Sequence, residues 1–156
     1  MAEDPPATYD ERLWPPWWLW LVGWLFAASL AISFHAALGP AWGLLALLVP
    51  GGALSWALLA SAAPVRVRDG ELVAGRAHIP LGHLGPAQPL DAERSGAVRG
   101  PESDPAAYHL IRGWVPAGVR LEVTDPADPT PYWFVATRRP QELARAVETA
   151  RSRRTG

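Results

Sequence analysis

The fold of this chain is decided by residues 17–63, which read WWLWLVGWLFAASLAISFHAALGPAWGLLALLVPGGALSWALLASAA. No Asp, Glu, Lys or Arg occurs at the 53 positions between Arg12 and Arg66, and seven of the nine tryptophans lie at or before Trp56. A stretch of this length without charge has no polar face to meet water, so it is typical of membrane-spanning helices rather than of a buried soluble hairpin. The sequence therefore predicts an integral membrane protein.

Glycine and proline divide this apolar stretch into two predicted helices. Residues 17–38 and residues 41–63 would each be roughly 33 Å long as a helix, which is enough to cross a hydrocarbon core about 30 Å thick. Gly39 and Pro40 separate them, because proline disfavours helix at the preceding residue and cannot continue the hydrogen-bond ladder. The prediction is a tight transmembrane hairpin.

Tryptophans cluster where the first predicted helix begins. The run Trp14-Pro15-Pro16-Trp17-Trp18 places amphipathic indoles where the helix would meet the lipid headgroups, and its two prolines suit an extended lead-in. We therefore interpret Trp14, Trp17 and Trp18 as membrane-interface anchors. A platform on which a carbohydrate or another ligand stacks is the alternative.

Small residues recur at intervals of four in both predicted helices. They are Gly23, Ala27 and Ala31 in the first helix and Ala53, Ala57 and Ser61 in the second. Ridges of small residues let two helices approach closely, and in an antiparallel hairpin these two ridges would meet at similar depth. The sequence thus predicts that they form the contact between the helices.

Two further features lie inside the apolar stretch. Pro50, Gly51 and Gly52 interrupt the second helix near its middle, so we expect a kink, with a cavity in an assembly of several copies as the alternative. His35 is the only titratable side chain of the stretch, and intramembrane ionisable groups often mark functional sites. Its position three residues before Leu38 favours a place near the interface, where imidazole reaches water.

The charges that flank the hairpin predict its orientation. Arg66, Arg68 and Arg76 follow the second helix, whereas the Gly39-Pro40 connection carries no positive charge. The positive-inside rule then places both termini in the cytoplasm of a multi-pass protein of the plasma (inner) membrane. The expected domains are a cytoplasmic lead-in at 1–16, a transmembrane hairpin at 17–63 and a cytoplasmic domain at 64–156.

From Val65 onwards the pattern changes to short runs typical of strands. Asp69-Gly70 is a strong two-residue hairpin turn between two of them. The predicted strands are 65–68, 71–74, 78–81, 108–111, 119–123 and 132–137. Residues 85–106 are predicted to form a long loop or an irregular excursion, and a helix is predicted to begin at Pro140. The predicted fold is a membrane α-helical hairpin plus a small α+β domain, with a mostly antiparallel sheet and one C-terminal helix.

The sequence motifs give little support for an enzyme. Patterns for phosphate loops, dinucleotide binding, zinc proteases and hydrolase nucleophile elbows are missing from the sequence, and there is no cysteine. The 14 basic and 15 acidic residues nearly balance, so nucleic acid is not the expected partner. His78 and His83 lack a metal-ligand spacing, and we interpret Asp125 and Asp128 as turn residues rather than calcium ligands. No catalytic residue, cofactor or metal is predicted.

Four runs of sequence resemble a known family. They are Tyr9-Asp10-Glu11-Arg12-Leu13-Trp14, Leu90-Asp91-Ala92-Glu93, Asp125-Pro126-Ala127-Asp128-Pro129-Thr130-Pro131-Tyr132-Trp133 and Thr137-Arg138-Arg139-Pro140. Over most of residues 9–147 the chain is similar to an actinobacterial membrane-protein family filed as domain of unknown function three-zero-nine-three. The resemblance implies a two-span actinobacterial protein and supplies neither an activity nor site residues. Separately, a sheet followed by one helix is similar in outline to bacterial pleckstrin-homology-like domains.

The leading interpretation is a non-enzymatic protein of the lipid bilayer. Its hairpin would hold the small domain at the cytoplasmic face, where the domain binds a protein partner or anionic lipid headgroups. The three arginines of residues 151–154 suit such headgroups, although they also complement the dipole of the C-terminal helix. The alternatives are an accessory subunit of a transporter or cell-envelope synthesis complex, and a membrane-embedded enzyme that uses His35 or the pair Asp125 and Asp128. The sequence predicts no oligomeric state.

Overall fold

A computed structural model describes residues 9–155 and divides the chain into two compact units. The helical unit is Trp14–Ala62, and the α+β unit contains Tyr9–Leu13 together with the residues from Ala63 onwards. The apolar hairpin is therefore an insertion into the α+β unit. Of the lead-in expected at residues 1–16, Tyr9–Leu13 form a strand of the α+β unit, and Trp14 begins the helical unit.

The helical unit consists of α1 (Trp17–Leu38) and α2 (Pro40–Ala60). Gly39 joins them with φ of 95°, a conformation that favours glycine, and its N–H donates to the His35 carbonyl at 2.9 Å. Pro40 then occupies the first turn of α2, where a missing N–H is no loss. The prediction of two long apolar helices is confirmed, although α2 ends three residues earlier than expected because Ala63 already belongs to a strand.

Small residues of α1 bring the two helices into contact. A Cβ added at Gly23 would collide with the Leu54 side chain of α2, and Ala27 is buried. A Cβ at Gly51 would in turn lie 2.9 Å from the ring of Trp24. The first small-residue ridge therefore faces α2.

The second small-residue ridge faces away from α1. Ala53 and Ala57 are exposed, and α2 makes the contact instead with Gly43, Gly51 and Leu54. Alanine occurs on several sides of α2, so a four-residue spacing does not select the contact side. Gly43 and Gly51 lie at the contact, where a residue without a Cβ lets the two backbones come closer than alanine does, whereas Gly52 is exposed.

Replacing Gly43 with leucine is expected to push the helices apart at a cost of about 1–3 kcal/mol, typical of overpacking. A Cβ at Gly43 would lie 2.7 Å from the His35 Cβ and 3.0 Å from the Ala31 carbonyl oxygen, and neither atom can rotate away. Gly52 is the matched control, since its Cβ would meet nothing within 4 Å. Thermal stability in detergent and crosslinking between cysteines placed on the two helices should fall for Gly43→Leu alone. Equal behaviour of both variants would contradict this packing.

The α+β unit contains two four-stranded sheets. Sheet 1 has the spatial order β1 (Tyr9–Leu13), β2 (Ala63–Arg68), β3 (Glu71–Ala74) and β4 (Ala77–Pro80). Sheet 2 has the spatial order β5 (Leu84–Leu90), β7 (Gly118–Val123), β8 (Tyr132–Ala136) and β6 (Tyr108–Leu110). All neighbouring strands are antiparallel except β6 and β8. Helix α3 (Ala92–Arg99) and helix α4 (Pro140–Thr155) complete the unit, and a single 3-10 turn lies at Leu81–His83.

Several local predictions are confirmed. Asp69 and Gly70 have φ of 53° and 78°, as a two-residue turn between antiparallel strands requires. Each of the six predicted strands coincides with an observed strand, and their ends differ by at most two residues. Helix α4 begins at Pro140 as predicted. The small mostly antiparallel α+β domain with a C-terminal helix is therefore confirmed, with its strands divided between two sheets.

The long loop predicted at residues 85–106 is wrong, because β5 and α3 occupy most of it. Pro86 and Pro89 hide the strand pattern of β5, and a strand at the edge of a sheet tolerates proline. Helix α3 is short and polar, and the carboxylate of Asp91 caps it by accepting the N–H of Arg94 at 2.8 Å.

Side chains of α4 cover the outer backbone edge of β5. The Glu148 carboxylate accepts the N–H of Ala87 at 3.0 Å, and Arg151 donates to the carbonyl of Gly85 at 3.0 Å. These contacts satisfy backbone groups that an edge strand would otherwise leave open to another chain. The partners lie 61 and 66 residues apart along the chain, so no local pattern reveals this edge.

The two sheets and α4 enclose one hydrophobic core. Alternate residues of β1 are buried, so one side of that strand packs inward. Leu143 and Val147 of α4 are fully buried against the sheets. Strand β8 is buried on both sides. The Trp133 ring packs on the Tyr108 ring at an angle of 40° with centroids 4.3 Å apart, and Arg99 of α3 lies over Phe134 on the opposite side.

Candidate functional site

The surfaces of the two units differ sharply. Among residues 9–155, 19 large apolar side chains are exposed, and 18 of them belong to the helical unit; Ile111 is the other. A soluble monomer rarely exposes an apolar patch of this size, whereas lipid acyl chains cover such a surface without cost. Both α1 and α2 are long and apolar enough to cross a membrane.

The expected interface residues lie at the start of the helical unit. Trp14, Trp17 and Trp18 are exposed, at 44%, 75% and 50% of their full surface. This exposure is compatible with contact to headgroups and with contact to a stacked ligand alike. Their role as interface anchors stays a prediction.

The central glycines of α2 lie in an uninterrupted helix. The helix continues through Pro50 and Gly52, although Pro50 has no N–H to donate within the helix. Gly51 packs against Trp24 of α1, whereas Gly52 is exposed. The expected kink stays a prediction.

His35 is exposed beside an apolar cavity of about 350 Å³, which forms where the two helices approach each other near their connection.

Two of the runs that carry the family resemblance meet in the α+β unit. We call the group Tyr9, Glu11 and Thr137, with the backbone of Arg138, the Glu11 cluster. The hydroxyls of Tyr9 and Thr137 donate to Glu11 Oε2 at 2.7 and 2.5 Å, and the N–H of Arg138 donates to Oε1 at 3.3 Å. Glu11 is 8% exposed and Thr137 is fully buried. A buried carboxylate is tolerated here because several donors surround it.

Arginines and burial set the electrostatics of the Glu11 cluster. The Arg138 guanidinium lies 3.9 Å from Glu11 Oε1, and the Arg139 guanidinium lies over the Tyr9 ring, 5.1 Å from its centroid. Burial raises the pKa of the Tyr9 phenol. The contact of its hydroxyl with the Thr137 hydroxyl, at 2.8 Å, lowers this pKa, and the Glu11 carboxylate raises it further. Tyr9 therefore stays a neutral donor. Thr137 also accepts the N–H of Arg139 at 3.0 Å, as a residue that helps cap α4 does.

The Asp125–Asp128 run forms turns. Asp125 accepts the N–H of Ala127 at 2.9 Å, and Asp128 accepts the N–H of Thr130 at 2.9 Å, in agreement with the turn interpretation. Hydrogen bonds from the side chain and backbone of Thr130 lower the pKa of Asp128. His83 Nδ1 lies 3.3 Å from the Asp125 carboxylate. Within residues 9–155 no group of three or more His, Asp or Glu side chains has the geometry to hold a metal ion.

Sequence reasoning missed a row of polar and aromatic side chains on the side of sheet 2 over which Arg99 of α3 lies. One row of cross-strand neighbours runs through Gln88, Arg120, Phe134 and His109. The Arg120 guanidinium lies 4.3 Å from the centroid of the Tyr132 ring, and His109 meets the edge of the same ring at 5.7 Å. The only local signal was the alternation in β7, where charged positions separate apolar ones.

A groove of about 360 Å³ opens at the β5 end of this row. It is lined by Pro86, Ala87, Gln88, Pro89, Arg120 and Glu122. Arg120 Nε is buried without a hydrogen-bond partner in the described structure, and an unpaired buried donor costs on the order of 1–3 kcal/mol. Neither Arg120 nor Glu122 forms an ion pair with any residue of 9–155. The groove thus presents one unpaired cation and one unpaired anion.

The fold defines a class of protein: a small α+β domain that carries two candidate membrane helices between its first and second strands. The chain belongs to the family described as "Protein of unknown function (DUF3093)", whose family model matches residues 8–147. This confirms the family resemblance, while actinobacterial origin stays a prediction. No curated protein and no solved structure matches the chain. The pleckstrin-homology-like outline therefore stays a prediction too.

Proposed function

We propose that this chain is a non-enzymatic integral membrane protein that holds a small binding domain at the cytoplasmic face of the plasma membrane. The domain would bind a protein partner or lipid headgroups there. The insertion of the apolar hairpin between two paired strands supports the proposal. Leu13 of β1 pairs with Ala63 of β2, and three residues before α1 and two residues after α2 complete the connection.

The paired strands constrain both ends of the hairpin. Because Leu13 and Ala63 are neighbours, the hairpin must begin and end close together, as two helices that cross a bilayer in opposite directions do. The domain is then confined near one membrane surface, where an effective concentration of about 1 mM for a short linker strengthens weak contacts. Arg66, Arg68 and Arg76 follow the hairpin and favour the cytoplasmic side.

Alkaline extraction of membranes is expected to leave the full-length protein in the pellet, and detergent is expected to release it. Reporter fusions after Gly39 and after Gly156 should be active in the periplasm and in the cytoplasm, respectively. A folded protein that stays in the supernatant without detergent would contradict the membrane assignment. Activity of a periplasm-dependent reporter after Gly156 would overturn the orientation alone.

Partner identification separates the two kinds of ligand. Affinity purification of the full-length protein from native membranes should retain a defined protein if the domain is a protein-binding module. Nanodiscs with and without anionic lipid test the anionic-headgroup version, because a domain that binds anionic headgroups should be protected from hydrogen exchange only by the anionic lipid. Protection that is equal in both nanodiscs, together with purification of the chain alone, would contradict the protein-binding version and the anionic-headgroup version.

An accessory subunit of a transporter or envelope-synthesis complex is the second candidate function. The exposed side of α2 that contains Gly52, Ala53 and Ala57 favours it, because small residues there leave room for a helix of another protein. Leucine at Ala53 and Ala57 should remove a co-purifying membrane protein and leave the hairpin intact. An unchanged set of partners would count against this candidate.

A further inference from the structure

Arg120 is held in a geometry that suits anion binding. Its guanidinium lies over the Tyr132 ring, and Tyr132 is itself held by burial and by the Asp104 N–H, which donates to its hydroxyl at 3.1 Å. A guanidinium carries five N–H donors in a planar fork, which suits a planar or tetrahedral group of oxygens. Arg120 Nε is shielded from water, and Arg120 is one of the residues that line the groove, so the cation is partly desolvated. Attraction to an anion is stronger in such surroundings than in bulk water.

Glu122 places an opposite charge on the same side of β7. It lies two residues beyond Arg120, about 7 Å along the strand, and it also lines the groove. A ligand that carries only negative charge would be repelled by Glu122, and a ligand that carries only positive charge would be repelled by Arg120. The two side chains therefore complement a group that carries both charges.

We propose that the groove between β5 and β7 binds a small zwitterionic group, with its anionic oxygens on Arg120 and its ammonium on Glu122. The amide of Gln88, the cross-strand neighbour of Arg120, supplies a further polar contact. The volume of about 360 Å³ falls in the range of small-ligand sites. An ammonium joined to a phosphate occurs in the phosphoethanolamine headgroup, and an ammonium joined to a carboxylate occurs in a free amino acid. The inference deepens the proposed function, because it takes the α+β unit as the binding part and names its ligand chemistry.

Titration of the full-length protein in an uncharged maltoside detergent tests this proposal. The probes are two soluble zwitterions, glycerophosphoethanolamine and 4-aminobutyrate, and two single-charge controls, glycerol phosphate and ethanolamine. Calorimetry should show that at least one zwitterion binds ten-fold or more tightly than either control. A preference for glycerophosphoethanolamine would indicate a lipid headgroup, and a preference for 4-aminobutyrate would indicate a soluble amino acid.

Variants show whether the groove is the site. Arg120→Gln and Glu122→Gln should each weaken zwitterion binding ten-fold or more, whereas Arg76→Gln, at an exposed arginine of the β3–β4 turn, should leave it unchanged. Glu122 is exposed, so its variant should keep the melting temperature and remains informative even where Arg120→Gln unfolds. The proposal would be overturned if neither zwitterion bound. It would also be overturned if glycerol phosphate bound as tightly as the zwitterions and Glu122→Gln did not weaken zwitterion binding. Alkaline extraction and the reporter fusions test the membrane assignment without measuring zwitterion binding. The proposed membrane function and the proposed zwitterion site can therefore fail independently of each other.

Discussion

A fragment that consists of residues 64–156 is expected not to fold. It lacks β1, which pairs along its whole length with β2 and places Tyr9, Glu11 and Leu13 in the interior. Truncating one buried leucine to alanine costs about 2–5 kcal/mol, and a small domain is stable by only about 5–15 kcal/mol in total. Loss of the entire strand removes Leu13, Tyr9 and the carboxylate of the Glu11 cluster together, so the deficit should exceed the stability of the unit.

A bridged variant is the matched control for that fragment. Residues 9–13 are joined directly to residues 63–156 by a short Asn-Gly-containing loop, which deletes the helical unit but keeps β1. Leu13 and Ala63 are antiparallel neighbours, so a tight turn can connect them without moving either strand. Circular dichroism should show a cooperative thermal transition for the bridged variant and none for the fragment. A fragment that melts cooperatively at the temperature of the bridged variant would show that β1 is dispensable.

Replacement of Glu11 with alanine is expected to destabilise the α+β unit by about 3 kcal/mol. The change removes the carboxylate that accepts from the hydroxyls of Tyr9 and Thr137 and from the N–H of Arg138. The two hydroxyls, 2.8 Å apart, can bond to each other, but one of them is left without an acceptor in a buried place. Removing one member of a buried charged network costs about this much. A destabilisation of this size lowers the melting temperature of a domain of about 100 residues by roughly 10–20 °C. Scanning fluorimetry of the full-length protein in detergent measures it.

Glu142 provides the control for the Glu11 experiment. It also pairs with an arginine, Arg139, at 3.0 Å, but both side chains are about half exposed. An exposed pair contributes about 0–1 kcal/mol, so Glu142→Ala should change the melting temperature little. Equal effects of the two alanine variants would mean that the Glu11 cluster does not hold β1 to the start of α4.

The sequence predicted those elements whose cause is local. The length of the uncharged stretch identifies α1 and α2, because each half is long enough for a membrane-spanning helix. The Gly39-Pro40 pair marks the turn between them. The Asp69-Gly70 turn and Pro140 likewise mark the β2–β3 hairpin and the start of α4, because turn geometry and helix starts depend on a few adjacent residues.

The candidate site was less accessible to sequence reasoning. Arg120 and Glu122 were assigned to a strand, but nothing in β7 indicates that Tyr132 of the next strand lies beneath Arg120. The groove also needs β5, whose prolines led to the prediction of a loop. Similarly, the spacing of Ala53 and Ala57 did not indicate which side of α2 faces its neighbour.

Composition and local pattern alone thus specify a chain with two lipid-compatible helices and a water-exposed α+β part. Only the tertiary structure shows that Tyr9–Leu13 is a strand of that part, because its partner Ala63–Arg68 lies beyond the whole hairpin. It also brings Glu11 to Thr137, 126 residues away along the chain. The periodicity of a segment indicates which of its residues face apolar surroundings and which face water. It does not indicate partners that are distant along the chain, because burial and hydrogen bonding in the folded state select them.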